Sequence, residues 1–530
     1  MTPMPLWRPA IVVGLALAVG GCAAAKPRAA APPIDLSPRL AEADALVQAG
    51  CFDCLRDALA AYQAIHGVSG APPAAVDLAT AGAVRAAGLL AMRERELGFV
   101  DDGYLTIAKD LLPHHPCGRG AGVEACQPTA QILDIIDLLP TRSAGTMPRM
   151  SSDAEVDRLQ QFSRNRSTWL SLLRDGAGQD ALTAYAWLAF VCGTSEGRAL
   201  TADALVAPVG GMRDDSLLVF KQASCFGIQR PTVEALLMQD SRFVEATYLL
   251  GQSAIGQRKL DEADRWFQQA YAWHPRWPAL TLSIANVAIT AEEFDRALEF
   301  YGKTLELEPR AAEALLGKAR ALTYLEQHDQ AIAVTDQLLE EKWLPGDAYY
   351  WRALNETQLD RIDEAWIDVE TADKLLINDQ VPKLAGIIAY RRKQLDVARG
   401  KFDQSLQRNP TDCETSFYLG IVLADQRIWD RTAGVFVSTA SCLENAERDL
   451  KRQIGQIRAS DAPPARQARQ IARREKQIAT ARRTLATSWF NTAVAYYSLS
   501  RKDEARQFAQ KVADDEQFSE RAREIISRLK

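Results

Sequence analysis

From Val244 onward the chain repeats itself every 34 residues, and a period of that length admits few folds. It corresponds to one supersecondary unit that cannot bury its apolar face alone, so neighbouring copies must stack on one another. The first copy, 244–277, places Gly251 at offset 8, Ala254 at 11, Ala263 at 20, Phe267 at 24, Ala270 at 27 and Pro275 at 32. The second, 278–311, supplies Ala285, Ala288, Ala297, Tyr301 and Pro309; the third, 312–345, supplies Ala319, Leu322 and Ala331 but ends differently at Trp343 and Pro345. The fourth, 346 to about 378, keeps Ala353, Ala365 and Ala372, and the fifth, 379–412, has Gly386, Ala389, Ala398, Phe402 and Pro410. Cys413 opens a sixth with Gly420, Leu423 and Phe436, and the last, 486–519, reads Trp489-Phe-Asn-Thr-Ala493-Val-Ala-Tyr496 and then Asp503-Glu-Ala505. Small residues at offsets 8 and 20 let two helices cross at close range, and the aromatic fills the space beside the crossing. Proline near offset 32 ends the second helix because it cannot continue the hydrogen-bond ladder.

These slots resemble the tetratricopeptide repeat, and the seventh copy is similar to that family's consensus. The resemblance implies an all-α helix-turn-helix solenoid, repeats 1–6 over 244–444 and repeat 7 with a polar capping helix over 486–530. It also implies a concave groove, lined by each repeat's first helix, that binds an extended or helical peptide. Carrying the family's groove positions over marks Tyr248, Leu282, Asn286, Leu316, Arg320, Tyr350, Lys383, Ile387, Tyr390, Phe417, Ile421, Phe490, Val494 and Tyr497. The family's carboxylate clamp needs Lys and Asn together in one repeat. Here Asn286 follows Leu282 and Lys383 precedes Ile387, so an apolar peptide or helix is the expected ligand. The competing reading of these side chains is ordinary packing between repeats.

Two departures from the repeat stand out. Residues 445–485 are inserted between the sixth and seventh copies, broken only by Ser460-Asp-Ala-Pro-Pro464. Leu443, Leu450 and Ile457 recur every seven residues before the break, as do Ile471, Ile478 and Leu485 after it. That spacing predicts an antiparallel hairpin made by prolonging two repeat helices, sealed by a short coiled-coil seam. Its outer faces are basic, with Arg466, Arg469, Arg473 and Arg474 prominent. They read either as a solvated charged face or as a contact site for an acidic partner or an anionic envelope surface. The other departure is 39–243, helical by pattern but without regular spacing; divergent repeat-like helix pairs are expected there, with loops near 113–128, 143–152 and 206–214.

The chain opens with one basic residue, Arg8, before an uncharged run from Pro9 to Gly21, the pattern of a signal peptide over 1–21. Val19-Gly20-Gly21-Cys22 resembles the lipobox of bacterial lipoproteins, which implies lipidation of Cys22; multiple acyl chains hold a protein on a bilayer where one is marginal. Ala23 follows the cysteine where aspartate would favour the inner membrane, so the outer membrane, facing the periplasm, is expected. Residues 22–38, rich in Pro and Ala, read as a tether. No later segment of about 20 residues lacks charge, so no spanning helix is expected.

Eight further cysteines, Cys51, Cys54, Cys117, Cys126, Cys192, Cys225, Cys413 and Cys442, form an even set suited to an oxidising compartment. Sequence neighbourhood pairs them in that order. On the repeat register Cys413 begins the sixth repeat's first helix and Cys442 ends its second, and antiparallel helices make those ends neighbours. Cys51-Phe-Asp-Cys54 has redox spacing, and His114-His115-Pro-Cys117 with Cys126 has donors for zinc, but local disulfides account for both more simply. No cofactor or metal is expected, and 62 basic against 68 acidic residues give no bias toward nucleic acid. The sequence therefore points to an envelope scaffold or assembly factor that binds a protein or peptide and catalyses nothing. A helical solute-binding lipoprotein is the second reading and an enzyme with an unrecognised N-terminal site the third. An open groove favours the first; a deep closed pocket favours the second.

Overall fold

The computed structural model describes residues 34–99, 102–116, 127–139, 153–192, 200–212, 215–226, 230–460 and 462–529, and every regular element among them is helical. The expected signal peptide, Cys22 and most of the tether lie outside the described residues. Each 34-residue copy is a helix pair. Val244–Gly256 packs on Leu260–Trp273, Pro278–Thr290 on Phe294–Leu307, Ala312–Tyr324 on His328–Glu340 and Pro345–Gln358 on Ile362–Leu375. Gln380–Arg391 pairs with Leu395–Arg408, Cys413–Asp425 with Trp429–Arg458, and Pro464–Ser498 with Lys502–Lys511, before a last helix, Ser519–Arg528.

The register is written in the backbone as well as in the side chains. Arg258, Glu292, Glu326, Asp360, Lys393, Arg427 and Ser500, the fifteenth residue of every copy, all have φ between 59° and 63°. The next residue's N–H reaches back to a first-helix carbonyl, as from Glu293 to Ala288 at 2.8 Å and from Ile428 to Leu423 at 2.9 Å. This closes the first helix and turns the chain into the second. A left-handed residue with a side chain costs roughly 1–2 kcal/mol, so packing of the two helices must impose the turn.

That packing is tight at the glycines. A methyl at Gly386 would lie 2.6 Å from the ring of Phe402, and one at Gly420 2.7 Å from Phe436; Gly251 faces Phe267 in the same way, and between repeats Gly317 of the third faces Tyr301 of the second. All four rings are fully buried. The device recurs outside the regular repeats, where Gly82 on Pro73–Leu97 sits against Tyr62 on Phe52–His66. The N-terminal helices share their core with the first repeats, and one apolar cluster runs from Leu36 to Ala321. Across it, Arg93 pairs with Glu245 inside the protein and the Trp277 indole donates to the Leu97 carbonyl at 2.7 Å. Pro73–Leu97 is long and apolar enough to cross a membrane by length and composition alone, but it carries Asp77 and Arg85 and 67% of its apolar window is buried in this core.

Two disulfides are described, Cys51–Cys54 and Cys413–Cys442, the latter with Cα atoms 5.6 Å apart. Cys192 is also disulfide-bonded, while Cys117, Cys126 and the Cys225 side chain lie outside the described residues.

The glycine contacts generate a paired expectation. Gly386→Ala should lose up to about 2 kcal/mol of stability, because overpacking of about 1–3 kcal/mol outweighs the gain of about 1 kcal/mol in helix propensity. Gly400→Ala, on the exposed face of the partner helix with nothing within 4 Å, should gain about 1 kcal/mol. Chemical denaturation of the two variants checks the opposite signs.

Candidate functional site

The inserted hairpin builds the site. Its arms are the prolonged helices Trp429–Arg458, of 30 residues, and Pro464–Ser498, of 35. At about 1.5 Å per residue they run roughly 45 and 50 Å. At the root Leu443 packs on Leu485 and Ala440, and nearer the tip Ile454 and Ile478 are buried. Of the seam residues expected from sequence, Leu450, Ile457 and Ile471 are only half-buried, and Ile454 was not among them. Glu447 bridges the arms to Arg482 at 2.7 Å; hydrogen bonds from Arg482 and Lys451 hold its carboxyl down at about 2.

The hairpin does not project away from the stack. Its tip returns to repeats 1 and 2, where the Arg466 guanidinium, 8% exposed, donates to Glu293 at 2.7 Å, Asp261 at 2.5 Å and Asp264 at 3.0 Å. Arg469 reaches Glu293 at 2.9 Å, Arg474 reaches Glu292 at 3.0 Å, and Arg473 reaches Glu292 at 3.3 Å. Burial pushes the Asp264 and Glu293 carboxyls up, but the guanidiniums of Arg296 and Arg466 outweigh it and hold both below the usual carboxylate range. The four arginines thus meet carboxylates of the chain itself, while Arg469 also stays 60% exposed to solvent. The sequence did carry a signal for this, since 466, 469, 473 and 474 share one helical face.

Beneath the second arm lies an open-sided cleft of about 1110 Å³. Its floor comes from repeats 5 and 6, with Gln380, Lys383, Asn409, Asp412, Glu414, Phe417 and Tyr418; its roof is Arg473, Lys476, Gln477, Thr480 and Thr484. Tyr324, 43% exposed, and Glu326 close one end. Lys383 bridges Glu414 at 2.5 Å and Asp412 at 3.2 Å. Burial pulls the ammonium down, yet the two carboxylates keep it above the ordinary lysine range. Asp412 in turn caps Cys413–Asp425, accepting from the Glu414 and Thr415 amides at 3.0 and 3.3 Å. The Cys413–Cys442 disulfide lies at the cleft wall and ties the hairpin root to the floor. Lys476 is exposed and makes no ion pair among the described residues, while the Arg473 guanidinium lies 4.8 Å over Phe294 and 6.0 Å over Tyr324.

Few of the groove positions carried over from the repeat line this cleft. Lys383 and Phe417 do. Leu282 and Phe490 are packing residues, 5% and 3% exposed. Tyr248 bonds Gln252 and Ser283, Asn286 accepts from Tyr301 at 2.7 Å, Tyr390 donates to Asp425 at 2.9 Å, and Arg320 lies over Trp351. Leu316, Tyr350, Ile387, Ile421 and Val494 are half-buried, and Tyr497 is exposed. Sequence reasoning missed Tyr324, Tyr418 and the roof residues 476–484 because it had no way to lay the hairpin over the floor.

The groups suggestive of chemistry lie elsewhere. Cys51 and Cys54 meet Asp240, but both sulfurs are buried in their mutual disulfide. Glu356, pushed up to about 7 by burial and by Asp368, is 7% exposed between repeats 3 and 4 and does not line the cleft. Arg352 bonds Asp368 at 2.5 Å and Asp336 at 2.7 Å and stands 4.0 Å from Glu356, too far to offset the burial.

The sequence model of the tetratricopeptide repeat matches residues 288–356. No curated protein matches the chain. Among solved structures, PilF of Pseudomonas aeruginosa is similar at 18% identity and TM-score 0.34, over 37% of this chain and 89% of that one. Yeast Tom70 is similar at 14% identity and TM-score 0.32, over 72% and 90%. A chain of the APC/C hetero-tetramer Cut9–Hcn1 is similar at 12% and 0.36, over 92% and 95%.

Asp412→Ala should cost about 1–2 kcal/mol at pH 7 through the lost cap and the lost partner of Lys383. Its folded carboxyl is held below the ordinary value, so its contribution is present above about pH 4 and lost as the pH falls through the folded value. The gap between variant and parent in thermal melts should therefore close in acid.

Proposed function

We propose that this tetratricopeptide-repeat solenoid is a lipid-anchored scaffold that holds an extended segment of a partner protein in the cleft between repeats 5 and 6 and the hairpin. Tetratricopeptide proteins mediate protein–protein contacts, and the cleft is the observation that carries the reading for this chain. About 1110 Å³ exceeds the roughly 300–1,000 Å³ of small-molecule sites, and the open side suits a chain that enters and leaves. That favours a peptide over a captured solute. The lining also revises the ligand's chemistry. Gln380, Asn409, Gln477, Thr480 and Thr484 offer donors and acceptors to a peptide backbone, while Tyr324, Phe417 and Tyr418 offer faces to an apolar or aromatic side chain. A polar segment with one such anchor fits better than a wholly apolar helix.

The anchor reading rests on the uncharged run from Pro9 to Gly21 and on Cys22. It puts the body on the periplasmic side of a bacterial outer membrane, where the paired cysteines are stable.

Photo-crosslinking amino acids at Gln477 and Thr480 should give partner adducts in cells, and the same groups at Glu370 and Gln407, exposed on second helices, should not. Equal yields from all four positions, or none, would sink the cleft as the binding site. Separately, Cys22→Ser should release the protein from the membrane fraction and abolish acyl labelling; persistence of both in the variant rules out this anchor.

A further inference from the structure

We propose that the hairpin is a releasable strap, latched to repeats 1 and 2 by its arginines, and that the latch controls sideways entry of the partner segment into the cleft. The inference rests on the cleft being the binding site. The topology poses the problem. The hairpin leaves the stack at repeats 6 and 7, and its tip bonds residues 173–205 positions earlier. Repeats 1–6 and the hairpin therefore form a closed ring around the cleft. A segment with folded protein on both sides cannot be threaded through a ring; it enters only if the ring opens.

The two ends of the hairpin are held by different forces. The root is apolar and covalent, with Leu443 on Leu485 and the Cys413–Cys442 disulfide. At the tip no hydrophobic cluster among the described residues joins the hairpin to repeats 1 and 2, and the contact runs through long side chains rather than close backbones. Arg469 is 60% exposed against a Glu293 that is 9% exposed, and Arg473 is 35% exposed against Glu292 at 21%, so solvent screens the arginine side of both pairs. Arg466, buried among three carboxylates, sets the register of docking more than its strength. From Leu485 to Arg466 the second arm is roughly 28 Å long, so a rotation of about 20° at the root carries the tip about 10 Å and parts every pair.

Arg473 connects the latch to the cleft. It pairs with Glu292 in the latch and lines the cleft roof over Tyr324. A carboxylate on the bound segment that draws Arg473 inward leaves Glu292 with Arg474 alone. Occupancy and opening are then linked, because the segment binds the unlatched state better.

The test uses the full chain with its disulfides intact, carrying spin labels on Ala468→Cys at the tip and Glu299→Cys on repeat 2, both exposed positions. Pulsed dipolar spectroscopy should give one short distance in the parent. Arg466→Glu, and independently Glu292→Lys with Glu293→Lys, should shift most of the population outward by about 10 Å with unchanged far-ultraviolet circular dichroism. The milder Glu292→Gln with Glu293→Gln should shift part of it, and added salt should act in the same direction. An unchanged distance in the glutamine variant together with loss of helix in the reversals makes the hairpin a fixed brace and overturns the proposal, as does an unchanged distance in all variants. Photo-crosslinking from Gln477 should rise severalfold in unlatched variants. Equal yield in latched and unlatched forms overturns the gating but not the cleft; an opened distance with no adduct from any cleft position overturns the cleft reading and not the latch.

Discussion

Two helices can cross at backbone range only where the residue between them is very small, and this molecule depends on that constraint being met repeat after repeat by glycine or alanine. Gly251, Gly317, Gly386 and Gly420 meet it by lying under the rings of Phe267, Tyr301, Phe402 and Phe436. Each ring occupies the volume a Cβ would need, so glycine and aromatic specify one another and with them the crossing distance. The left-handed residue fifteen positions into each copy follows, because a first helix held this close to the second has little chain in which to reverse. Small rotations of one pair on the next then accumulate into the curved stack whose concave side the hairpin spans.

The hairpin is the same helix-pair geometry carried past the stack. Trp429–Arg458 and Pro464–Ser498 begin or end as ordinary repeat helices, and their antiparallel packing continues because leucines and isoleucines continue along one face. Beyond the root the apolar residues thin out and arginines take over. A surface made of arginine stems and guanidiniums cannot enter a hydrophobic core, but it can dock on carboxylates at a rim. Asp261, Asp264, Glu292 and Glu293 supply that rim, two of them at or beside the left-handed turn of repeat 2. The turn holds its backbone rigidly while leaving its side chains on the edge of the stack, which is where a returning arm can reach them.

What was legible in the sequence was what neighbouring residues decide. The repeat period, the two prolonged helices, the root leucines and the proximity of Cys413 to Cys442 all depend on contacts within one helix pair. The helical character of the N-terminal region was also legible, as in Asp153–Gly176 and Pro73–Leu97, although Ala202–Val206 is too short and Arg230–Gln239 too weakly patterned to stand out. What was not legible is the destination of the hairpin. Arg466 and Glu293 are joined only through the summed curvature of four intervening repeats, and local pattern says of each only that it is charged. The cleft inherits that blindness. Its floor residues Lys383 and Phe417 sit at repeat positions that flag themselves, whereas Lys476, Gln477 and Thr480 become a roof only once the tip has landed.

Ring closure also changes what kind of object the solenoid is. In an open stack each repeat touches its neighbours alone, so stability is nearly a sum over adjacent pairs and either end frays without consequence for the other. Here repeats 1 and 2 share ion pairs with an arm rooted in repeats 6 and 7. Straightening or tightening the stack anywhere between them moves Glu292 and Glu293 relative to Arg466 and Arg474, and so loads or relieves the latch. Conversely, a ligand too large for the cleft would have to alter either the curvature of repeats 3 to 5 or the angle of the arm. The charged tip contact is the softer of the two, because repeat packing is apolar and close while the latch is polar and long-limbed. Strain introduced in the cleft is therefore expressed at the tip, where Arg473 of the cleft roof stands about 10 Å along the arm from Arg466.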